Sequence, residues 1–552
     1  MDTKKIAKIN DISVEINGEK NVLELIRKAG FDLPTFCYYP ELSTFGACRM
    51  CVFEDDRGNL DAGCSAQPWD GMVIKTNTAK IRKHRKIILE LLLANHCTDC
   101  TTCKSSGNCK LQELVVNFGI TDVRFPNTAE PDIDNSSLCI TKDISKCILC
   151  GDCVRMCHEI QNVGAIDFTH RGSKMTISTA FDEPLSDSNC VGCGLCTTVC
   201  PTGALIPHSD VDVVWKEIND PDVKLSAQIA PAVRVAIGEA FGLRSGENSM
   251  GKVVAALKHL GFDKVFDTST GADFTVMEES EELIGRLKSG ENLPLFTSCC
   301  PSWVQYCEMN YPEMLPNVSS CRSCAQMLAS IVKAQEDDSD KRNVHISVMP
   351  CTAKKFEAAR DEFKQNGVPD IDYVITTQEL IHMIREAGIS FSSLEPKEID
   401  MPLGVATGAG VIFGVTGGVT EAVLRRLSGS DIVFQGVRGM NDVKETSIKI
   451  GDREVKIAIV GGLRNASNII ERVKQGEKYD FIEVMACPGG CVSGAGQPFA
   501  STQDKARRGE GLHSVDEVNE FKSSEESPVV KELYNGILKD KAHDLLHTTY
   551  KG

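Results

Sequence analysis

Cys147-Ile148-Leu149-Cys150-Gly151-Asp152-Cys153-Val154-Arg155-Met156-Cys157, followed by Cys190-Val191-Gly192-Cys193-Gly194-Leu195-Cys196-Thr197-Thr198-Val199-Cys200-Pro201, is the most informative stretch of this sequence. Each run reads C-x2-C-x2-C-x3-C, the spacing of a module that holds two [4Fe–4S] clusters. Three closely spaced thiolates wrap one cube. By the fourth cysteine the chain has turned toward its neighbour, so the fourth ligand of each run crosses over. One cluster is therefore expected on Cys147, Cys150, Cys153 and Cys200, and the other on Cys190, Cys193, Cys196 and Cys157. Two zinc sites would need no such twofold repeat. Cys139, just upstream, lies outside the pattern and reads as a spare buried thiol.

The rest of the chain agrees with a metal reading. Its 552 residues are too many for one ordinary core and imply two to four domains. Of its 25 cysteines most stand two or three residues apart, too close for cross-links between distant segments. Soft thiolates at such spacing select zinc or iron–sulfur. The formal charge of −17 argues against nucleic acid as the main partner. No apolar run reaches the ~18–20 residues that span a bilayer. The N-terminus shows neither a long apolar stretch nor a small-residue cleavage site, so a cytoplasmic location is expected.

Upstream, Lys8 to Ile16 alternates, Asn17-Gly18 is a hairpin signal, and Val22 to Lys28 reads as a short helix ended by Gly30. Cys37, Cys48, Cys51 and Cys64 follow, with ten, two and twelve residues between them. This arrangement is similar to the plant-type [2Fe–2S] pattern with a lengthened first loop. A structural zinc site is the alternative. Lys80 to Ala94 reads as a helix whose start (Lys80, Arg82, Lys83, Arg85, Lys86) is either a docking patch for an acidic electron carrier or a solvated face. In His96-Cys97-Thr98-Asp99-Cys100-Thr101-Thr102-Cys103 and Cys109, two ligand sets are open. One is all-thiolate and uses Cys97; the other is mixed and uses His96. Spacing does not choose between them, nor between iron–sulfur and a Cys3His zinc site.

From about Val211 the pattern becomes α/β: Val223 to Ile229, Ala232 to Gly242, Lys252 to Leu260, Lys264 to Asp267, Leu293 to Phe296, Val344 to Val348. Gly408, Gly410, Gly414, Gly417 and Gly418 do not spell G-x-G-x-x-G, and tight packing around a buried site explains them better. Three segments call for a metal: Thr297-Ser298-Cys299-Cys300-Pro301-Ser302-Trp303, Met349-Pro350-Cys351-Thr352-Ala353-Lys354, and Glu483-Val484-Met485-Ala486-Cys487-Pro488-Gly489-Gly490-Cys491, running on to Gly496-Gln497-Pro498. Four cysteines on strand-end loops suit one cube, with a fifth thiol beside it.

These three segments closely resemble the signature motifs of the [FeFe]-hydrogenases, and the N-terminal order resembles the clostridial type with four accessory clusters. The resemblance extends to His543-Asp544-Leu545-Leu546-His547-Thr548-Thr549-Tyr550. It implies an H-cluster, a [4Fe–4S] cube joined through one cysteine sulfur to a two-iron unit carrying CO, CN⁻ and an azadithiolate. Cys300, Cys351, Cys487 and Cys491 would bind the cube, with Cys491 shared. Lys354 would hydrogen-bond a cyanide and Pro231 would offer backbone contact near another. Met349, Met485 and Phe413 would pack around the diiron unit. The family also uses His96 with Cys100, Cys103 and Cys109. Protons would pass through Cys299, Glu279, Ser319 and Glu282; without the resemblance, Glu278, Glu279, Glu281 and Glu282 read as an acidic helix face. Two departures concern the cofactor's surroundings: Cys324-Ala325 stand where Pro-Gln is usual, and Ala232 replaces a frequent serine. Cys321, Cys324 and Cys307 otherwise read as small buried hydrophobes.

Together these expectations describe a multidomain α+β and α/β protein. It comprises a β-grasp [2Fe–2S] domain (1–79), a His-ligated cluster domain (80–125), a two-[4Fe–4S] ferredoxin-like domain (126–210) and a C-terminal α/β H-cluster domain (211–552). The tail, 527–552, resembles a small-subunit segment. The implied activity is reversible reduction of protons to H2, with three accessory [4Fe–4S] clusters, one [2Fe–2S] and the H-cluster. The expected partners are ferredoxin or flavodoxin and the hydrogenase maturation proteins, and the expected state is a monomer. The rivals are an electron-transfer subunit of an NADH- or formate-linked complex and a hydrogenase-derived sensor or assembly protein.

Overall fold

Period-two apolar residues at the start of the chain build the first sheet. Ile6–Ile9 and Ile12–Glu15 pair antiparallel, Ile6–Ile9 runs parallel to Val73–Lys75, and Val52–Asp55 and Leu60–Ala62 complete five strands. The helix Val22–Lys28 buries Val22, Leu23, Leu25 and Ile26 in the core shared with this sheet. The hairpin turn is Asn10-Asp11, not Asn17-Gly18. Both residues take the left-handed backbone (φ 45° and 70°) that a two-residue hairpin requires. Gly18 instead lies in the connection to the helix. The computed structural model describes residues 4–335, 340–428, 436–440, 442–451 and 453–551.

The helix Ala79–Ala94, capped by Thr78, leads away from this sheet. Its basic start divides. Lys80, Arg82, Lys83 and Lys86 face water. Arg85 is buried and donates to the Met50 and Val52 carbonyls at 2.9 Å each, so it ties the helix to the first sheet and belongs to no surface patch. A short helix, Lys110–Asn117, follows.

The two cysteine runs repeat in backbone as they do in spacing. Leu149 and Gly192, each before a second cysteine, have φ 54° and 65°; Gly151 and Gly194, each after it, have φ 73° and 69°. The same left-handed steps wrap each run and start the helices Asp152–Arg155 and Leu195–Thr198. The strands Ile140–Asp143 and Leu205–Pro207 pair antiparallel and close the module.

Beyond Val211 stand two four-stranded sheets. In one, Lys264–Asp267, Val223–Ile229, Arg342–Met349 and Tyr373–Thr376 are all parallel. In the other, Leu295–Phe296, Phe481–Met485 and Arg453–Gly461 are parallel, and Val443–Ile450 is an antiparallel edge. Residues 232–242 form neither strand nor regular helix. They make two 3-10 turns, Pro231–Val233 and Ile237–Phe241. The 22-residue helix Thr268–Ser289 packs on Cys324–Ala334 so closely that a Cβ at Gly271 would overlap the Cys324 carbonyl. The glycines at 408–418 are packed as expected: a Cβ at Gly410 or Gly418 would overlap the carbonyl of Ser269 or Ile412. The tail helices Pro528–Asn535 and Ala542–Leu546 bury Val529, Val530, Leu533, Leu545 and Leu546 against this helix pair. No helix among the described residues is long and apolar enough to cross a membrane.

Candidate active site

All 25 cysteines are free. In the first sheet Cys37 lies thiol against thiol with Cys48, and Cys51 with Cys64, on loops that bring the two pairs together. His96 is buried and its Nδ1 has no hydrogen-bond partner, whereas the Cys97 thiol turns toward Asp99 at 3.8 Å. Cys100, Cys103 and Cys109 lie within electrostatic reach of one another. Cys147, Cys150, Cys153 and Cys200 line one pocket together with Ile144, Ile148 and Pro201. Cys157, Cys190, Cys193 and Cys196 form the other group, each thiol acting on the next. Burial pushes the Cys147 and Cys190 thiols up to about 11. Such groups are held as thiolates only by a bound cation, which deprotonates a thiol outright.

The groups are contiguous. Cys37, Cys48, Cys109 and Cys150 border one apolar cluster around Phe36, Met50, Leu89 and Leu111. Cys153, Cys157, Cys190, Cys196 and Cys200 border the next, which also holds Cys139, 2% exposed and pressed against Gly192. Cys193 and Cys487 meet around Met156 and Leu195. Thr352 Oγ1, just past the strand Arg342–Met349, donates to the Gly192 carbonyl in the second run (2.8 Å), and Gln161 Nε2, just past the first run, donates to the Ala486 carbonyl at the end of the last sheet (2.8 Å).

The last group sits at the carboxyl ends of both C-terminal sheets, where open α/β folds place ligands. Leu295–Phe296 leads to Cys299 and Cys300, Arg342–Met349 to Cys351, and Phe481–Met485 to Cys487 and Cys491. Cys487 and Cys491 each lie in the field of Cys351 and Cys300. Gly489 and Gly490 (φ 83° and 85°) fold the loop between them, and the Ala486 N–H donates to Cys300 Sγ at 3.4 Å. Burial pushes Cys351 up to about 11. An all-thiol donor set in a dry pocket fits a cube, which takes one thiolate per iron. Phe413, Met485, Cys299 and Cys324 border one apolar cluster, Met349 is 2% exposed, and Pro231 is buried. Ala232 lies with Val411, Val492 and Leu512 beside Cys491, and its carbonyl accepts from Gln497 Nε2 at 2.9 Å.

Lys354 approaches the Cys299 carbonyl at 3.4 Å and pairs with Glu357 at 2.8 and 3.0 Å. Burial opposes its charge, but Glu357 and the Cys324 thiol hold it above the ordinary lysine range. Glu279 is fully buried, and neither carboxyl oxygen has a hydrogen-bond partner. Burial, then the Glu282 charge, pushes it up to about 8, so it is protonated at neutral pH. Its neighbour Ser319 donates to Glu282 at 2.7 Å, and Arg286 pairs with Glu282 at 2.5 Å. The acidic segment is therefore no solvated face; among Glu278, Glu279, Glu281 and Glu282 only Glu281 is exposed. Cys307 and Cys321 are small core residues, but Cys324 borders the site.

Sequence reasoning missed three residues here. Glu357, three residues after Lys354 on the helix Ala353–Ala359, was legible as a helical Lys-x-x-Glu pair. Glu483 accepts from Gly417 N (2.6 Å), Thr420 N (2.8 Å) and Thr420 Oγ1 (2.8 Å), which anchors the Phe413 segment to the Met485 strand. Tyr550 reaches back from the tail to donate to the Cys321 carbonyl at 3.3 Å, and no local pattern announces it.

Family models match the chain end to end: a 2Fe-2S iron-sulfur cluster binding domain over 6–79, the NADH-ubiquinone oxidoreductase-G iron-sulfur binding region over 85–124, and a 4Fe-4S dicluster domain over 146–204. The C-terminal domain of the iron only hydrogenase large subunit matches 223–495, and the iron hydrogenase small subunit matches 503–552. The chain is 40% identical to the NADP-reducing hydrogenase subunit HndD of Solidesulfovibrio fructosivorans, covering 96% of each. It is 36% identical to iron hydrogenase 1 of Clostridium pasteurianum, over 98% of this chain and 99% of that one. A solved [FeFe]-hydrogenase of Chlamydomonas reinhardtii shares 38% identity over 62% of this chain and 99% of its own, with a TM-score of 0.55. The iron–sulfur domains, the strand-end thiol site and these matches together make the chain a member of the [FeFe]-hydrogenase family, an iron–sulfur oxidoreductase with an H-cluster in its C-terminal domain.

Proposed function

We propose that this chain is a cytoplasmic, monomeric hydrogenase that interconverts H2 with protons and electrons and exchanges the electrons with a ferredoxin or flavodoxin. The observation that carries this reading is the convergence of Cys300, Cys351, Cys487 and Cys491 from three loops, with Cys299 and Lys354 beside them. When bound, the H-cluster would supply the redox chemistry and a basic amine. The chain supplies position, dryness and proton access. Cys300, Cys351, Cys487 and Cys491 hold the cube. Lys354, kept charged by Glu357, offers an ammonium to a cyanide, Pro231 offers backbone contact, and Met349, Met485 and Phe413 exclude water. Cys299 hands a proton to or from Glu279, and Ser319, hydrogen-bonded to Glu282, carries it on toward the surface.

Electrons follow the contiguous cysteine groups outward. The accessory sites are three [4Fe–4S] clusters and one [2Fe–2S]. The last is on Cys37, Cys48, Cys51 and Cys64; the others are on His96 with Cys100, Cys103 and Cys109, on Cys147, Cys150, Cys153 and Cys200, and on Cys157, Cys190, Cys193 and Cys196. They lie in a β-grasp domain (1–79), a His-ligated domain (80–125) and a ferredoxin-like domain (126–210), ahead of the H-cluster domain (211–552). The likeness to an NADP-reducing hydrogenase subunit supports a second reading, in which the same chemistry serves a nucleotide-reducing complex. Infrared spectroscopy of protein matured with the hydrogenase maturation enzymes tests the core claim. CO and CN⁻ bands with H2 evolution are expected, and their absence from iron-replete protein would leave an electron wire.

A further inference from the structure

The proposed relay ends at Glu282, and there the hydrogen bonds divide. One carboxyl oxygen is paired with Arg286, whose guanidinium has donors but no acceptor. Toward the other, Ser320 donates its N–H at 3.2 Å and brings its Oγ to 3.5 Å. Ser320 Oγ lies 2.9 Å from Nδ1 of His547, and Nε2 of the same ring lies 2.9 Å from Glu278. Tyr534 donates to the far oxygen of Glu278, whose side chain is 18% exposed, and the exposed His543 stacks on His547 at 5.2 Å between ring centres. The ring is held by its own backbone. Thr548 N donates to the Ser320 carbonyl (2.8 Å), Arg322 N to that of Leu546 (2.8 Å), and Arg322 Nε to that of His547 (2.9 Å). The tail thus delivers an imidazole with each nitrogen against a group that can give or take a proton.

We infer that His547 carries a second proton branch, which leaves the relay at Glu282 and runs through Ser320 and His547 to Glu278 at the surface. This inference rests on the proposed relay through Cys299 and Glu279. In the outward direction, a proton on Glu282 moves to Ser320 Oγ while the hydroxyl proton of Ser320 moves to Nδ1. The imidazolium then releases its Nε2 proton to the Glu278 carboxylate and returns to neutrality. No electron moves, and one proton enters for each that leaves. The ring, 13% exposed, resets its tautomer by exchange with water. Imidazole suits this role because it exchanges protons near neutral pH.

The structural alternative is that the Glu278–His547 pair only pins the tail. A third possibility is direct release to water from Glu282, which is 15% exposed. Matured Glu282→Gln, His547→Ala and Ser320→Ala enzymes separate these, each assayed for dye-driven H2 evolution with and without added imidazole. Histidine ¹⁵N NMR, assigned with His547→Gln, reports whether Ser320→Ala alters Nδ1 alone. The branch predicts that His547→Ala and Ser320→Ala each lower turnover by about threefold or more. The double variant should be no worse than either single one, imidazole should restore His547→Ala, and the Nδ1 signal should shift. Parent-like turnover in both variants means release from Glu282 to water and overturns the branch. A loss confined to His547→Ala and untouched by imidazole means a pin, and also overturns it. If Glu282→Gln itself turns over normally, the underlying relay fails instead, a result distinct from either.

Discussion

At the scale of single residues the site is a set of buried groups whose charge states the fold dictates. Cys299 precedes Cys300, a proposed cube ligand, and lies in the field of Glu279, and a thiol can pass a proton that alanine cannot. Cys299→Ala should keep the CO and CN⁻ bands yet lose most turnover in both directions, and Cys299→Asp should recover part of it. Near-normal turnover in the alanine variant would end the relay reading, and loss of the bands would make Cys299 an assembly residue. Glu279 gives a stability test with a definite sign. Its folded carboxyl titrates at about 8 because burial and Glu282 disfavour the charge, so above its ordinary value the native state binds more protons than the unfolded chain. Native stability should therefore fall as pH rises from the ordinary carboxylate value to about 8. Glu279→Gln should lose that slope, as thermal unfolding in matched buffers would reveal; an unchanged slope would assign the titration elsewhere.

At the scale of elements, the structure turns on close approaches that allow little substitution. The helices Thr268–Ser289 and Cys324–Ala334 touch where Gly271 faces the Cys324 carbonyl, and Glu279 rides on the first of them. Gly271→Ala should force them apart at a cost of about 1–3 kcal/mol. It should lower the melting temperature and slow turnover out of proportion by displacing Glu279 from Cys299; parent-like melting would show that the helices yield freely. The His96 loop allows a cleaner choice. His96→Ala should remove one cluster's signal while dye-driven H2 chemistry continues, and loss of that cluster in Cys97→Ala alone would restore the all-thiolate set. The cysteine groups and the strands at Val223–Ile229 and Lys264–Asp267 were legible because spacing and apolar alternation are local signals. The Asn10-Asp11 turn was hidden by unbroken alternation around it. The 3-10 turns at 232–242 were hidden because burial on all sides erases periodicity. The resemblance reaches the segment of Tyr550 and His547, but their contacts could not be read, since what they touch lies more than two hundred residues upstream.

At the scale of the whole molecule, the question is where the electrons leave. The cysteine groups run contiguously from Cys487 to the cluster shared by Cys37, Cys48, Cys109 and Cys150, and the helix that Arg85 ties to the first sheet presents Lys80, Arg82, Lys83 and Lys86 to water on a chain whose net charge is −17. Such a patch attracts an acidic one-electron carrier, and salt weakens the attraction. Reducing a nicotinamide is a different task. It transfers a hydride, two electrons together, and so needs a flavin or a comparable cofactor beside a nucleotide site. Among the described residues the glycine-rich 408–418 segment is packed against its own neighbours, with no room for a pyrophosphate. The isolated, matured chain under H2 should therefore reduce a ferredoxin-type carrier and leave NADP⁺ untouched, even though one of its relatives is a subunit of an NADP-reducing hydrogenase. Carrier reduction should slow as ionic strength rises, and Lys83→Glu with Lys86→Glu should slow it at low salt while dye reduction keeps its rate. NADP⁺ reduction by the chain alone would show that a nucleotide site exists on it. Carrier reduction indifferent to both salt and the double substitution would move the exit to another cluster.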